Sequence, residues 1–310
     1  MQNHSIGAMK IILCTTFRDF NGTDNDQIQY MFLDSIKNQS FQDFLVVTTT
    51  FGEKRVKEVV DGYFGPKSVT REVSLPSEYR FSLTDVVLNA ISVVKDLNMD
   101  CVVIWCTCDI QLSPNLFQLL VDNYKAGFSG IVHPNICYKS IDDLNRNTNP
   151  KVRISSGIDL LFFDGRLLID AEKEIIHYRF YDWGFFEHFL VGIALLYSKD
   201  RINLYCKSHL LKVENDRELT EESKAYFKRC INLNRPVMSR FYSDKGLITD
   251  IIKRNGLYGL HCQYRMLSPN QEYIEIKGRY TGVRNRLLKL ARYYIFQLLV
   301  IMGIKKNPWK

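Results

Sequence analysis

The stretch that decides the fold is Lys10-Ile-Ile-Leu-Cys-Thr-Thr16, a short apolar run that ends in two hydroxyl residues. Aliphatic and β-branched side chains followed by a polar segment predict a buried strand that runs into a loop. The loop covers residues 17–26, and apolar residues then recur at helical spacing over residues 27–37. The first unit is therefore a strand, a loop and a helix.

The same alternation continues along the chain. We predict a strand at Phe44 to Phe51, helices at Glu53 to Tyr63 and Ser82 to Leu97, and a buried strand at Cys101 to Cys106. Ser82 is the predicted N-cap of its helix, and Asp85 is the fourth residue. Strands that alternate with helices predict an α/β fold, a mostly parallel doubly wound (Rossmann-like) sheet flanked by helices. Such sheets bind ligands at the carboxyl ends of their strands.

The rest of the chain is less regular. We predict a helix at Pro114 to Ala126, a strand at Gly130 to His133, a polar loop at Ser140 to Lys151, a strand at Ile158 to Phe163, an apolar helix at Phe185 to Tyr197 and a strand at Ile202 to Cys206. Residues 216–255 are mixed polar and helical in pattern. We therefore predict an α/β domain over residues 10–215 and a mainly helical C-terminal region over residues 216–310.

A ten-residue segment before the second strand gives the most specific signal. It reads Ser35-Ile-Lys-Asn-Gln-Ser-Phe-Gln-Asp-Phe44. In order and spacing it resembles S-I-x-x-Q-(S/T)-(F/Y)-x-(D/N)-(F/W), the segment that opens family 2 glycosyltransferases of the GT-A fold. The resemblance covers roughly residues 10–210. It implies a GT-A-like domain that transfers a sugar from a nucleotide-sugar donor to a glycan or lipid-linked acceptor, with inversion of configuration, in bacterial surface polysaccharide assembly.

The resemblance also implies where the donor binds. The implied donor-binding residues follow the strands or begin a helix, and they are Thr16, Phe17, Arg18, Thr49, Thr50, Phe51, Asp85, Thr107, Cys108 and Asp109. In the family, the second strand ends in aspartates, whereas this chain has three threonines at residues 48–50. Threonine hydroxyls can hydrogen-bond a base edge and Phe51 can stack on it, but the identity of the base does not carry over.

The strand that ends at Cys106 leads into a second element of the resemblance. Family members have an Asp-x-Asp motif here, and this chain has Thr107 and Asp109 in the two acidic positions. The resemblance implies a divalent metal, Mn²⁺ or Mg²⁺, held by Asp109 and by His209. Such an ion neutralises the diphosphate that leaves the sugar. The alternatives are that Asp109 complements a helix dipole and that a lone histidine is structural.

The third element is Tyr181-Asp-Trp-Gly-Phe-Phe-Glu-His-Phe-Leu190, at the start of an apolar helix. It resembles the W-G-x-x-E-(D/N) element whose acidic residue takes the proton of the acceptor hydroxyl. An inverting transfer needs such a base within hydrogen-bond reach of that hydroxyl. We expect Glu187 to be the base, with Asp182 second and His188 also able. The alternative is that one of these residues caps the helix and the others are surface groups.

The net charge of +7 is concentrated in a tail. Nine of the 41 basic residues follow Glu275 and no acidic residue does, which leaves 32 basic and 34 acidic residues in the body. A nearly neutral body argues against nucleic-acid binding. Residues 279–310 combine an apolar face with a basic stripe, which favours an anionic membrane surface as partner. The alternative is a C-terminal helix packed on the domain.

Localisation and rival functions follow from what the sequence lacks. The first nine residues show no secretory signal, no stretch of 18 apolar residues occurs, and the eight cysteines are typical of buried free thiols. We expect a cytoplasmic protein, peripheral at the inner face of the membrane. One rival is a non-catalytic GT-A-like module, because acidic positions of the family are lost. The other is a nucleotidyltransferase, although no glycine-rich basic loop follows the first strand.

Overall fold

The computed structural model describes residues 9–132, 136–148, 151–152, 158–182, 184–197, 201–205, 210–213, 221–245 and 273–277. Its strands are β1 (Lys10–Thr15), β2 (Phe44–Thr50), β3 (Ser68–Glu72), β4 (Cys101–Cys106), β5 (Ile110–Leu112), β6 (Ser129–Val132), β7 (Ile136–Tyr138), β8 (Lys151–Val152), β9 (Leu160–Asp164), β10 (Arg201–Tyr205), β11 (Leu210–Val213) and β12 (Tyr273–Lys277). Its α-helices are α1 (Asp24–Lys37), α2 (Val56–Phe64), α3 (Leu83–Leu97), α4 (Leu116–Asp122), α5 (Ile141–Arg146), α6 (Gly165–His177), α7 (Phe186–Tyr197) and α8 (Glu221–Asp244).

The main sheet has the strand order β12-β10-β6-β9-β4-β1-β2-β3. Six of these strands are parallel, while β9 and β12 run antiparallel to their neighbours. A second, four-stranded sheet has the order β5-β11-β7-β8. The predicted mostly parallel α/β sheet is therefore confirmed.

Helices cover both faces of the main sheet. Alternate residues of each strand point to opposite faces, so each strand contributes to two separate cores. In β1, Ile11 and Leu13 belong to one core, which contains residues of α1, α2 and α4. Ile12 and Cys14 belong to the other core, which contains residues of α3, α6, α7 and α8. We call these the α1-side core and the α3-side core.

Gln39 explains the physical role of the segment that precedes β2. Its side chain is buried, and its amide nitrogen donates to the carbonyls of Ser35 and Ser113 at 3.0 and 2.7 Å. Its amide oxygen accepts from the backbone N–H of Phe117 at 3.0 Å. The end of α1 is thereby joined to the connection between β5 and α4, which follows the candidate Asp-x-Asp position.

The predicted strands and helices on either side of β1 are confirmed, whereas the sequence pattern does not predict β3, β5, β7, β8, β11, β12, α5 or α6. Strand β3 was not predicted. The predicted polar loop at residues 140–151 contains helix α5, whose N-cap hydroxyl, from Ser140, accepts from the N–H of Asp143 at 3.1 Å. Helix α6 was not predicted, although Asp164 caps it and apolar residues recur along it. The sequence of α5 is short and polar, and it therefore resembles that of a loop. A helix forms there because the Ser140 cap satisfies a backbone donor that would otherwise have no partner within the helix.

Two elements of the C-terminal region join the rest of the described structure. Phe241 of α8 is fully buried in the α3-side core, with its ring centroid 4.6 Å from that of Phe189. Strand β12 pairs antiparallel with β10. The predicted boundary at residue 215 remains a prediction, and the basic tail at residues 279–310 lies outside the described residues.

A search of the described residues finds no helix that is long and apolar enough to cross a membrane.

Candidate active site

The carboxyl ends of β1, β2 and β4 meet at one edge of the main sheet, because the three strands are parallel neighbours. Threonine hydroxyls form hydrogen bonds between the ends of these strands. Thr15 donates to the carbonyl of Cys106 at 2.9 Å, and Thr16 donates to the carbonyl of Thr49 at 2.8 Å. Thr16, an expected donor-binding residue, thus links the ends of β1 and β2.

The loop after β1 separates its two candidate residues. Phe17 is buried in the α1-side core, where its ring centroid lies 5.9 Å from that of Phe32. Arg18 is exposed, while its backbone is fixed by Gln29, which accepts from the N–H at 2.7 Å and donates to the carbonyl at 3.2 Å. Of these two residues, Arg18 is the one placed to meet a ligand.

The end of β2 presents threonines in place of carboxylates. Thr49 and Thr50 are buried, and the hydroxyl of Thr49 accepts from the side-chain amide of Asn89 at 2.9 Å. Phe51 is partly exposed, and its ring centroid lies 6.5 Å from that of Phe81. An aromatic pair beside the strand end offers a flat apolar surface on which a base can stack.

Asp85 is engaged in an ion pair. Its backbone N–H donates to the Ser82 hydroxyl at 3.2 Å, which confirms the predicted N-cap of α3. Its carboxylate accepts two hydrogen bonds from the Arg179 guanidinium, at 2.6 and 2.5 Å. Arg179 precedes the segment that leads into α7, so Asp85 connects the start of α3 to that segment.

A cluster of charged groups lies beyond the end of β4. The hydroxyl of Thr107 donates to Oδ1 of Asp109 at 2.6 Å, and Nζ of Lys212 lies 3.1 Å from Oδ2 of the same residue. Lys212 also forms an ion pair with Asp159, whose carbonyl accepts from the N–H of Thr107 at 3.0 Å. The ammonium of Lys212 therefore contacts two carboxylates. We call Asp109, Asp159 and Lys212 the charged cluster.

Cys108, between Thr107 and Asp109, is a protonated thiol. Its sulfur lies 3.7 Å from the side-chain oxygen of Gln29. Burial and the charge of Asp109 raise the pKa of Cys108 while the charge of Arg18 lowers it, and the resulting pKa is about 12. The thiol is thus no nucleophile at neutral pH.

Glu187 lies in the first turn of α7, within electrostatic reach of the charged cluster. Burial raises the pKa of this carboxyl, a backbone hydrogen bond lowers it, the negative charge of Asp159 raises it and Lys212 lowers it; the resulting pKa is about 7. A carboxyl with a pKa near 7 is matched to general-base catalysis at neutral pH. Among the three predicted bases, Glu187 has this property.

The turn before α7 is held in an unusual backbone conformation. Asp182, Gly184 and Phe185 have φ values of 57°, 107° and 65°. A left-handed phenylalanine is strained, and such strain persists where the surrounding structure imposes it, often at functional sites. The N–H of Phe189 donates to the carbonyl of Phe185 at 2.9 Å, so the turn fixes the start of the helix that carries Glu187.

The other two predicted bases are buried. Oδ1 of Asp182 accepts from the backbone N–H groups of Arg80 and Phe81, at 2.8 and 3.3 Å. Asp182 thereby fixes the turn before α3. Burial lowers the pKa of His188 to about 4, and its ring centroid lies 5.6 Å from that of Phe185. A neutral, buried imidazole and a carboxylate bonded to backbone amides suit structural roles.

Sequence reasoning missed Asp159 and Lys212. Asp159 lies within the predicted strand, although a carboxylate at the start of the run Ile158-Asp-Leu-Leu-Phe-Phe163 is itself unusual. Because β9 is antiparallel to β4, the residue before β9 lies at the carboxyl end of β4. Lys212 reaches the same place through β11, which pairs with β5. No local pattern in the sequence indicates that pairing.

The described residues do not fit the expected metal ion. Both carboxylate oxygens of Asp109 are engaged, one by the Thr107 hydroxyl and one by the Lys212 ammonium, and a fixed ammonium repels a divalent cation. No group of three or more histidine, cysteine, aspartate or glutamate side chains in this part of the chain is arranged to hold a metal. His209, the other expected ligand, lies outside the described residues.

No protein-family profile matches the sequence, and no curated protein matches it either. Among solved structures, the chain resembles S. aureus TarS, with 12% identity over 66% of this chain and 36% of that one and a TM-score of 0.42. It resembles S. aureus TarS 1-349 in complex with UDP, with 12% identity over 73% of this chain and 64% of that one and a TM-score of 0.41. A third is the inositol-1-phosphate CTP transferase of T. maritima, with 10% identity over 76% and 96% of the two chains and a TM-score of 0.36. The chain thus spans about a third to two thirds of the two TarS chains.

Proposed function

We propose that this chain is a glycosyltransferase that moves a sugar from a nucleotide-sugar donor to a hydroxyl of a glycan or lipid-linked acceptor. The observation that carries the proposal is Glu187, a carboxyl with a pKa of about 7 within electrostatic reach of the charged cluster, which lies beyond the end of β4 in a doubly wound sheet. Ligands of such sheets bind at this edge. The resemblance of residues 35–44 to family 2 glycosyltransferases points to the same chemistry.

The donor side of the proposal rests on the strand ends. The partly exposed ring of Phe51, directly after β2, offers an apolar surface to the base of a nucleotide, whereas the hydroxyl of Thr49 is buried against Asn89. Arg18 and Lys212 are the cations beside the ends of β1 and β4. A nucleoside diphosphate combines a flat base with two negative phosphates, and it therefore matches this arrangement of an aromatic surface and cations.

The proposed chemistry is a single displacement. Glu187, ionised, takes the proton of the acceptor hydroxyl as the acceptor oxygen forms its bond to C1 of the sugar. The bond from C1 to the phosphate oxygen breaks, and its electron pair leaves with the nucleoside diphosphate. Attack opposite the leaving group inverts the anomeric configuration. The products are the extended acceptor and a nucleoside diphosphate.

Substitution of Glu187 by glutamine tests this role. The amide keeps the shape of the side chain but accepts no proton, so we expect kcat to fall roughly 100-fold to 10,000-fold while the Kd of the donor stays nearly unchanged. Turnover is measured as nucleoside diphosphate released from a panel of nucleotide sugars with glycan and lipid-linked acceptors, and donor affinity by calorimetry.

A matched control for that variant is Glu172→Gln. Glu172 forms a surface ion pair with Lys95 at 2.6 Å, at the C-terminal end of α3 and away from the strand ends. Loss of this ion pair is expected to leave kcat within about twofold of the wild-type value, because a surface ion pair contributes little to the stability of the fold. Equal turnover of Glu187→Gln and Glu172→Gln would remove Glu187 from the mechanism.

The same panel distinguishes the two rival functions. A non-catalytic GT-A-like module would bind a nucleotide sugar and release no nucleoside diphosphate. A nucleotidyltransferase would instead consume a nucleoside triphosphate and a sugar phosphate, with release of pyrophosphate. Production of pyrophosphate, rather than nucleoside diphosphate, would therefore show a nucleotidyltransferase and contradict the proposed glycosyltransferase.

We also propose a membrane-facing acceptor and a peripheral location at the inner face of the membrane. The support is the sequence of residues 279–310, where basic side chains alternate with a broad apolar face and no acidic residue occurs. Apolar burial and attraction to anionic lipid act together in such segments. A transferase bound in this way would meet lipid-linked acceptors at the surface where they reside.

A further inference from the structure

The ammonium of Lys212 lies between the carboxylates of Asp109 and Asp159, beyond the end of β4. Its side chain is 12% exposed, that of Asp159 is 4% exposed, and that of Asp109 is 41% exposed. The ammonium is therefore largely withdrawn from water, and the open side of the cluster is the side of Asp109. A ligand that reaches the strand ends meets Asp109 and Lys212 together.

The backbone, and not a flexible side chain alone, determines this position. Lys212 pairs with Ile110 in the antiparallel register of β11 and β5. The N–H of Val213 also donates to the carbonyl of Asp109 at 3.4 Å. The lysine is thus anchored one residue away from the loop that carries Thr107 and Asp109.

The charges of the loop fit a monovalent cation. Asp109 is the single carboxylate of residues 107–109, and Thr107 donates a hydrogen bond to it at 2.6 Å. A divalent ion would have to share this one carboxylate with an ammonium 3.1 Å away. Two cations that share one carboxylate repel each other in a partly buried site, so the ammonium already present disfavours a divalent ion.

We propose that Lys212 supplies the positive charge that faces the donor's diphosphate, and that transfer therefore proceeds without a divalent metal. This inference rests on the proposed glycosyltransferase function. As the bond from C1 to the phosphate oxygen breaks, the leaving diphosphate gains negative charge, which the ammonium stabilises through a charge-assisted hydrogen bond. Lys212 stays protonated throughout, so the proton and electron balance of the displacement is unchanged. Asp109 and Asp159 act as positioning residues that hold the ammonium in place.

The first test compares turnover in excess EDTA with turnover in Mn²⁺ or Mg²⁺. We expect wild-type transfer in EDTA to remain within about twofold of its value with either metal. Loss of transfer in EDTA and recovery with metal would overturn the inference and leave the glycosyltransferase function intact. If no donor is turned over under any condition, the proposed function fails instead, and the inference is then decided by binding.

The binding test uses a nucleoside diphosphate and the matching nucleoside, both in EDTA. The wild-type protein is expected to bind the diphosphate at least tenfold more tightly than the nucleoside. Lys212→Met should abolish that preference and leave nucleoside binding unchanged, while Lys212→Arg should keep part of it. Equal affinities for the two probes in the wild-type protein, or an undiminished preference in Lys212→Met, would overturn the inference.

Controls separate loss of charge from loss of fold. Lys212→Met leaves buried Asp159 without its ion pair, so the double variant Lys212→Met/Asp159→Asn removes both charges and keeps the test valid if the single variant unfolds. Lys95→Met breaks the surface pair with Glu172 and should retain the preference for diphosphate. A double variant that is folded by circular dichroism yet retains the preference contradicts the inference.

Discussion

At the scale of single residues, the site gathers charges that a stable protein would otherwise avoid. Glu187 is a half-buried carboxyl with a raised pKa, and Asp182 and Phe185 hold left-handed backbone conformations beside it. Burial of an ionised group and strained backbone both cost free energy. These costs are typical of functional sites, where arrangement of the reacting groups takes precedence over stability.

The unfavourable burial of the ionised Glu187 carboxylate leads to a prediction about the free energy of unfolding. Its pKa is about 7 in the folded protein and near 4.5 when exposed, so the folded state binds this proton more tightly. The free energy of unfolding therefore falls as the pH rises from about 4.5 to 7, and the full decrease is reached above pH 7. Glu187→Gln should raise the free energy of unfolding at pH 8 by roughly 1–3 kcal/mol, with the gain fading towards pH 5.

Thermal and denaturant unfolding at a series of pH values measure this effect. Asp159 and Lys212 are the charged groups that act on Glu187, so the double variant Lys212→Met/Asp159→Asn should change the midpoint of the pH dependence. A stability difference between Glu187→Gln and wild type that does not vary with pH would show that Glu187 keeps an ordinary pKa.

At the scale of elements, α6 depends on close contact with the sheet. Its first residue is Gly165, where an added Cβ would clash with the sulfur of Cys101 and lie 3.0 Å from a methyl group of Val94. Cys101 begins β4 and Val94 belongs to α3. The absence of a side chain at Gly165 therefore lets α6 begin directly against both elements.

Two glycine-to-alanine substitutions test that contact. Gly165→Ala should lower the free energy of unfolding by about 1–3 kcal/mol through overpacking. Gly62→Ala, inside α2, meets nothing within 4 Å and should raise it by up to about 1 kcal/mol through helix propensity. Chemical denaturation measures both, and opposite signs are expected. A neutral Gly165→Ala would mean that α6 can shift away from β4.

Local signals explain which elements the sequence predicts. Strands β1, β2 and β4 and helix α3 follow from short apolar patterns and from the Ser82 cap, while the role of Glu187 stays a prediction from the segment before α7. Helix α5 escapes prediction because it is short and polar. Asp159 and Lys212 escape because the pairing of β5 with β11 and the reversed direction of β9 bring distant segments together. Tertiary pairing of this kind leaves no periodic pattern.

At the scale of the whole molecule, the charge distribution divides the chain. The body carries almost balanced charge, whereas residues after Glu275 carry nine basic side chains and no acidic one. Long-range attraction to an anionic surface would therefore act through the tail and orient the molecule. The α/β domain would then be held near the membrane without any described helix that crosses it.

Liposome flotation tests that arrangement. The full-length protein should float with vesicles that contain anionic lipid, and binding should weaken several-fold between low and high salt, because salt screens each basic contact. Replacement of Arg284, Arg286, Lys289 and Arg292 by glutamine should reduce flotation while donor binding stays the same. Equal flotation with neutral and anionic vesicles, or none with either, would refute the electrostatic attachment.

The pairing of β11 with β5 also affects the time course of folding. Lys212 and Asp159 are 53 residues apart in sequence, so the charged cluster forms only when long loops have closed. Loop closure costs entropy and delays distant contacts, whereas β1 pairs with β2 through a shorter connection. We expect a refolding chain to regain its helical signal before it regains its affinity for nucleoside diphosphate. A newly made chain would thus pass through a compact state that is not yet able to react.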